Sequence, residues 1–133
     1  MAWLLDTNMW IAYLKQPAGA LAAKIAAVRP QDIVTCSIIK AELLHGAEKY
    51  GNAERRRAKV EELLAPFVSH SFDDESAAHY ARLTHDLESK GSVIGPKDRM
   101  IAAIALQHGL TLVTGNMDEF ARVTGLAVEN WIG

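Results

Sequence analysis

Short apolar runs alternate with longer stretches of helical periodicity along the whole chain. Residues 2–5 (AWLL) form an apolar run ended by Asp6, long enough for a buried strand. Residues 32–36 (DIVTC), with β-branched Ile33, Val34 and Thr35, predict a second strand. Residues 67–72 (FVSHSF) and 110–114 (LTLVT) predict a third and a fourth, and 126–129 a fifth. Helices are expected at 8–14, 18–29, 37 to about 50, 53–65, 74–90 and 96–108, with a short one at 117–123. Pro17 and Pro96 suit a first helical turn, Ser37 an N-cap, Asp73 and Asp74 a helix start, and Gly109 a helix stop. Short strands that alternate with helices imply an α/β fold with a mainly parallel sheet of four to five strands, covered on both faces.

This topology has a consequence for the acids. Each helix of an α/β unit runs antiparallel to the strands, so strand C-termini and helix N-termini share the edge where such sheets bind ligands. Asp6 follows the first strand, and Glu42 lies one turn into the helix after the second. Asp98 is in the first turn of the helix before the fourth strand, and Asp118 and Glu119 follow that strand. Taken singly, these residues have structural readings. First-turn acids such as Asp98 face helix dipoles, and Asp6 before Thr7 and Asn8 suits an Asx-turn or an N-cap. Glu42 is too far inside its helix to cap it. Gathered on one edge, carboxylates raise one another's pKa unless a cation compensates. Mg²⁺ or Mn²⁺ would do so, because both take oxygen ligands and can activate water for phosphodiester cleavage.

Composition narrows the class. The 133 residues carry 14 Lys and Arg against 16 Asp and Glu, and half are hydrophobic, which excludes a disordered or fibrous chain. One cysteine, Cys36, excludes a disulfide framework and fits a cytoplasmic, reducing setting. No apolar run approaches the ~20 residues of a membrane span, and Asp6 interrupts any signal-peptide core. The net charge of −2 argues at first against a nucleic-acid partner. With the acids of the predicted edge set aside, however, the bases outnumber the remaining acids, and that exclusion lapses.

The residues around those acids resemble a known family. L-D-T-N at 5–8, A-E-L-L-H-G-A at 41–47, G-P-K-D-R-M-I-A-A at 95–103 and L-V-T-G-N-M-D-E-F at 112–120 are similar to the four motifs of PIN-domain ribonucleases, in the manner of the VapC-type toxins of bacterial toxin–antitoxin pairs. The resemblance implies one PIN-like nuclease domain over 1–133, an α/β/α sandwich. It implies a Mg²⁺- or Mn²⁺-dependent endoribonuclease with Asp6, Glu42, Asp98 and Glu119 as catalytic and metal-site acids, Asp118 being the alternative to Glu119. Some branches of the family carry Asp two residues after the Thr of the fourth motif, where this chain has Asn116. Thr7, Asn8, Ser37, Thr114 and Asn116 would orient the carboxylates and waters. The resemblance also implies RNA as substrate, with tRNA the leading target, a cognate antitoxin that occludes the site, a homodimer and a toxin–antitoxin hetero-oligomer. An RNA-processing nuclease without an antitoxin, and a catalytically silent binding module, are the competing readings.

Other residues carry weaker signals. Lys40, Lys97 and Arg99 adjoin motif acids and are candidates to hold RNA. The basic run 54–59 (ERRRAK) spreads around a helix, so a solvated face is its default reading, with an RNA-backbone contact as the alternative. His45, three residues after Glu42, fits a Glu-x-x-His pair but has no second copy. Trp10, Tyr13 and Trp131 are read as core aromatics, with a patch for an antitoxin segment as the alternative. Cys36 is read as a small buried apolar residue.

Overall fold

The computed structural model describes residues 1–132. Its sheet has five parallel strands: β1 (Trp3–Leu5), β2 (Ile33–Cys36), β3 (Val68–His70), β4 (Thr111–Val113) and β5 (Val128–Glu129). Seven helices flank it: α1 (Thr7–Lys15), α2 (Ala20–Ala27), α3 (Ser37–Glu48), α4 (Ala53–Leu64), α5 (Asp74–Ser89), α6 (Pro96–His108) and α7 (Met117–Phe120). No described helix is long and apolar enough to cross a membrane.

The strand order is β3-β2-β1-β4-β5. The chain moves outward from β1 to β2 and β3, then returns to the other side of β1 to lay down β4 and β5. The order therefore reverses between β1 and β4, and a crevice opens outside their carboxyl ends. Parallel strands covered on both faces need continuous apolar character, and β2 and β4 are buried along their whole length. Residues 101–105 of α6 are five consecutive buried positions, and its alanines let α5 pack closely against it. Trp10 is fully buried beside Phe67 and Tyr13, with ring centroids 5.3 and 6.2 Å away.

The α/β reading is borne out, and the differences are local. Ser37 does not cap α3: β2 runs into the helix without a loop, so extended Cys36 takes the cap position and Ser37 is already helical. Its hydroxyl instead accepts the Phe72 N–H at 3.3 Å. Asp32 falls in a 3₁₀ turn (Pro30–Asp32), tied to Arg29 by an ion pair of 2.9 Å, so β2 starts one residue later than expected. Pro17 lies in the turn before α2, which is capped by Gly19. Asp73 does begin α5, exchanging hydrogen bonds with Ser76 in a capping box.

Gly109 ends α6 in the left-handed region at φ 63°. No atom lies within 4 Å of where its Cβ would stand, so Gly109→Ala meets backbone strain alone. We expect a loss of about 1 kcal/mol in a denaturant melt, partly recovered by Gly109→Asn, whose side chain tolerates this conformation.

Candidate functional site

Asp6 is the hinge of the site. Its backbone N–H donates to Val113 O at 2.8 Å, continuing the β1–β4 pairing one residue beyond the strands. Its carboxylate is only 5 % exposed, and one oxygen caps α1 by accepting the Thr7 N–H at 2.8 Å. The other accepts the Thr114 hydroxyl, also at 2.8 Å. Thr114 Oγ1 accepts in turn from the Asn116 N–H at 3.0 Å, and Thr7 Oγ1 donates to Glu42 Oε1 at 3.0 Å. Asn8 Oδ1 accepts the Gly115 N–H at 3.3 Å, joining the start of α1 to the turn after β4. Of the five polar residues expected around the acids, these four form one network at the crevice. Ser37 is held at Phe72 instead.

The electrostatics follow from that crowding. Burial pushes the Asp98 carboxyl up to about 6, and the charges of Asp6, Glu119 and Glu42 push the same way, with Lys97 opposing them. Burial also raises Asp6, against the hydrogen bonds from Thr114 and Thr7, and the charge of Glu42 adds to the rise. Four acids from four separate segments thus act on one another. Exposed Asp118 is not among the charges felt by Asp98, whereas half-buried Glu119 is.

This donor set fits a hard divalent cation. It is all oxygen, and its members are mutually repelling and partly desolvated. Among the described residues, no three His, Cys, Asp or Glu side chains form a group that could hold an ion by themselves. An ion that keeps several waters and uses one or two carboxylates needs no such group.

A raised carboxyl pKa also sets the sign of a pH effect. The folded chain holds a proton on Asp98 more tightly than the unfolded chain does. The group therefore favours folding near its ordinary pKa, and this contribution is lost as pH climbs through about 6. In metal-free buffer, the Tm of Asp98→Asn is expected to gain on that of wild type between about pH 4.5 and about pH 7.5. An equal difference at both pH values in thermal melts would refute the assignment.

A groove of about 780 Å³ opens beside these acids, between α1, α3 and α4. Thr7, Glu42 and Lys97 stand at one end. The other two basic candidates are engaged elsewhere: Lys40 pairs with Glu61 at 3.3 Å, and the Arg99 guanidinium lies 5.1 Å over the Tyr80 ring and donates to Thr84 Oγ1. Lys15, Lys49 and Tyr50 carry no signal of their own in the sequence, while Arg56 and Lys59 belong to the run read as a solvated face or an RNA-backbone contact; all five line this groove. Their signal is the pairing of α3 with α4, which only the fold supplies. His45 is exposed on the groove wall. Trp10 and Trp131 are buried, and burial pushes the Cys36 thiol up to about 11, so none of the three faces solvent as a reactive or docking group.

An all-parallel sheet with interacting carboxylates at its switch point is a frame in which α/β proteins hold ligands. The PIN-domain family model matches residues 3–126, and the chain belongs to that family, whose ribonucleases use divalent metal ions. Its relatives lie in the VapC group. Ribonuclease VapC2 of Haemophilus influenzae is 35 % identical over 132 residues, covering 99 % of both chains. The tRNA(fMet)-specific endonuclease VapC of Salmonella typhimurium is 33 % identical over 131 residues, covering 98 % of each. Among solved structures, VapBC2 from Rickettsia felis, bound to a DNA fragment from its promoter, superposes with a TM-score of 0.92 at 30 % identity, covering 99 % of this chain and all of that one.

Proposed function

We propose that this chain is an endoribonuclease toxin that hydrolyses RNA, with tRNA as its substrate class and Mg²⁺ or Mn²⁺ as its ion, restrained by an antitoxin protein. The observation that carries the reading is the gathering of Asp6, Glu42 and Glu119 near half-buried Asp98, close enough for their charges to push its carboxyl further up than burial alone does. Such an arrangement is unfavourable in the metal-free protein and is relieved by a cation. The tRNA specificity named for the Salmonella relative supports the substrate class, and the toxin–antitoxin complexes among the structural neighbours support the partner.

In this reading Asp6 and Asp98 hold the ion directly, and Glu42 and Glu119 complete the site. When bound, the ion supplies Lewis acidity and a water of lowered pKa. The chain's own groups do the positioning. The Thr7 N–H and the Thr114 hydroxyl fix the Asp6 carboxylate in one orientation, each oxygen keeping a lone pair for an ion. Glu42, steadied through one oxygen by the Thr7 hydroxyl, keeps the other free to orient a water. Lys97 opposes the negative charge of the site and is placed to meet a phosphate. No side-chain nucleophile is required.

Incubation with total tRNA and a transcript pool, followed by mapping of new ends, tests this. Ends made by the wild type in Mg²⁺ or Mn²⁺ should vanish with EDTA and with Asp6→Asn. The same ends in every lane would overturn the reading.

A further inference from the structure

We propose that the groove between α1, α3 and α4 carries a single-stranded segment of the substrate RNA, with Tyr50 as the platform on which one of its bases stacks. The proposal rests on the nuclease reading above and goes beyond it in naming where the strand leaves the acids.

The groove starts at Glu42 and Thr7 and reaches Tyr50 just beyond the end of α3. Eight residues of helical rise separate Glu42 from Tyr50, on the order of 12 Å. A base held there is therefore not the one adjoining the phosphate at the acids. Tyr50 is 63 % exposed, so much of its ring is open to a ligand.

The ring is also held in place. Asn52 adopts the left-handed conformation at φ 63° and turns the chain from α3 into α4. The turn brings the Arg56 guanidinium to 5.3 Å from the Tyr50 ring centroid, and Arg56 Nε is itself pinned to Gly51 O at 2.9 Å. The ring is thus backed by a cation while most of the residue stays open to solvent. Base–aromatic stacking reinforced by arginine is the common device of single-strand binding.

Charge names the occupant. Lys15, Lys49, Arg56, Lys59 and Lys97 line the groove, and among the described residues none has a carboxylate within ion-pair distance. On the same two helices, Lys40 and Arg57 are paired with Glu61 and Glu48. The five groove cations thus present uncompensated positive charge along one face, which a polyanion would neutralise. Ile11 and Leu14 of α1, 42 % and 43 % exposed, give the groove apolar wall against which bases can lie. A protein segment would need a matching row of acids, whereas an RNA strand brings one phosphate per nucleotide and must reach Glu42 to be cut.

The test is cleavage of total tRNA in Mg²⁺ by wild type, Tyr50→Ala and Tyr50→Trp, with KM and single-turnover rate measured separately. Tyr50→Ala should raise KM about tenfold with the single-turnover rate unchanged, and Tyr50→Trp should restore KM to within about twofold of wild type. Lys59→Gln should reduce the slope of log affinity against log salt by about 0.7. A wild-type KM in Tyr50→Ala, with cleavage intact, overturns the platform and leaves the nuclease reading standing. If unchanged KM is accompanied by weakened binding of a co-expressed antitoxin, the groove belongs to protein and the proposal fails. A wild type that neither cuts nor binds the tRNA pool overturns both.

Discussion

Asp6→Asn is expected to reduce RNA cleavage by about a thousandfold or more while raising the Tm of the metal-free protein. The two effects have one origin. Asp6 is a buried charge whose carboxyl sits above its ordinary pKa, so its ionised form at neutral pH weakens the fold. The amide is nearly isosteric: its oxygen still accepts the Thr7 N–H, and the Thr114 hydroxyl can turn to accept from its NH₂. Local structure therefore survives and the repulsion with Glu42 and Asp98 goes. Activity falls because a neutral amide is a poor ligand for a hard cation, and several kcal/mol of transition-state stabilisation go with the ion. The measurement pairs end-mapping kinetics with thermal melts, with and without millimolar Mg²⁺. Wild type should gain Tm from the ion and Asp6→Asn should gain little. A variant that keeps wild-type cleavage would remove Asp6 from the site.

The largest loss of stability is expected at Trp10. Its ring has no exposed surface and fills the space between α1 and the segment leading to β3, against Phe67 and Tyr13. Trp10→Ala removes that contact and leaves a cavity that rigid neighbours cannot close, at about 3–5 kcal/mol. Urea titration should show this as a lower midpoint with an unchanged slope. Trp10→Phe should recover more than half of the loss. Its indole N–H has no hydrogen-bond partner, so replacing it leaves no polar atom stranded. A Trp10→Ala midpoint near that of wild type would mean that the region repacks.

The elements and their order were legible because their signals are local: apolar runs of strand length, acids at the start of α5, a glycine at the end of α6. So was the gathering of Asp6, Glu42, Asp98 and Glu119, since parallel α/β connectivity alone sends strand ends and helix starts to one edge. The adjacency of β1 and β4 was not legible. It depends on where the chain crosses back over the sheet, and no residue encodes that locally. Side-chain engagement was hidden for the same reason. Lys40 and Arg99 stand beside motif acids in sequence, yet Glu61 and Tyr80, brought in by neighbouring helices, claim their charges. Tyr50 and Arg56 are six residues apart with a turn between them, and only the left-handed Asn52 puts one over the other.

The interior place of β4 has a bearing on how the site is assembled. β4 comes far from β1 in the chain but lies between β1 and β5 in the sheet, and this segment supplies the Val113 carbonyl and the Thr114 hydroxyl that fix Asp6. Until that strand is inserted, Asp6 has neither its backbone partner nor its orientation, and Glu119 has not yet arrived. The first motif alone therefore does not make an oriented carboxylate: Asp6 acquires its geometry only when β4 has docked beside β1.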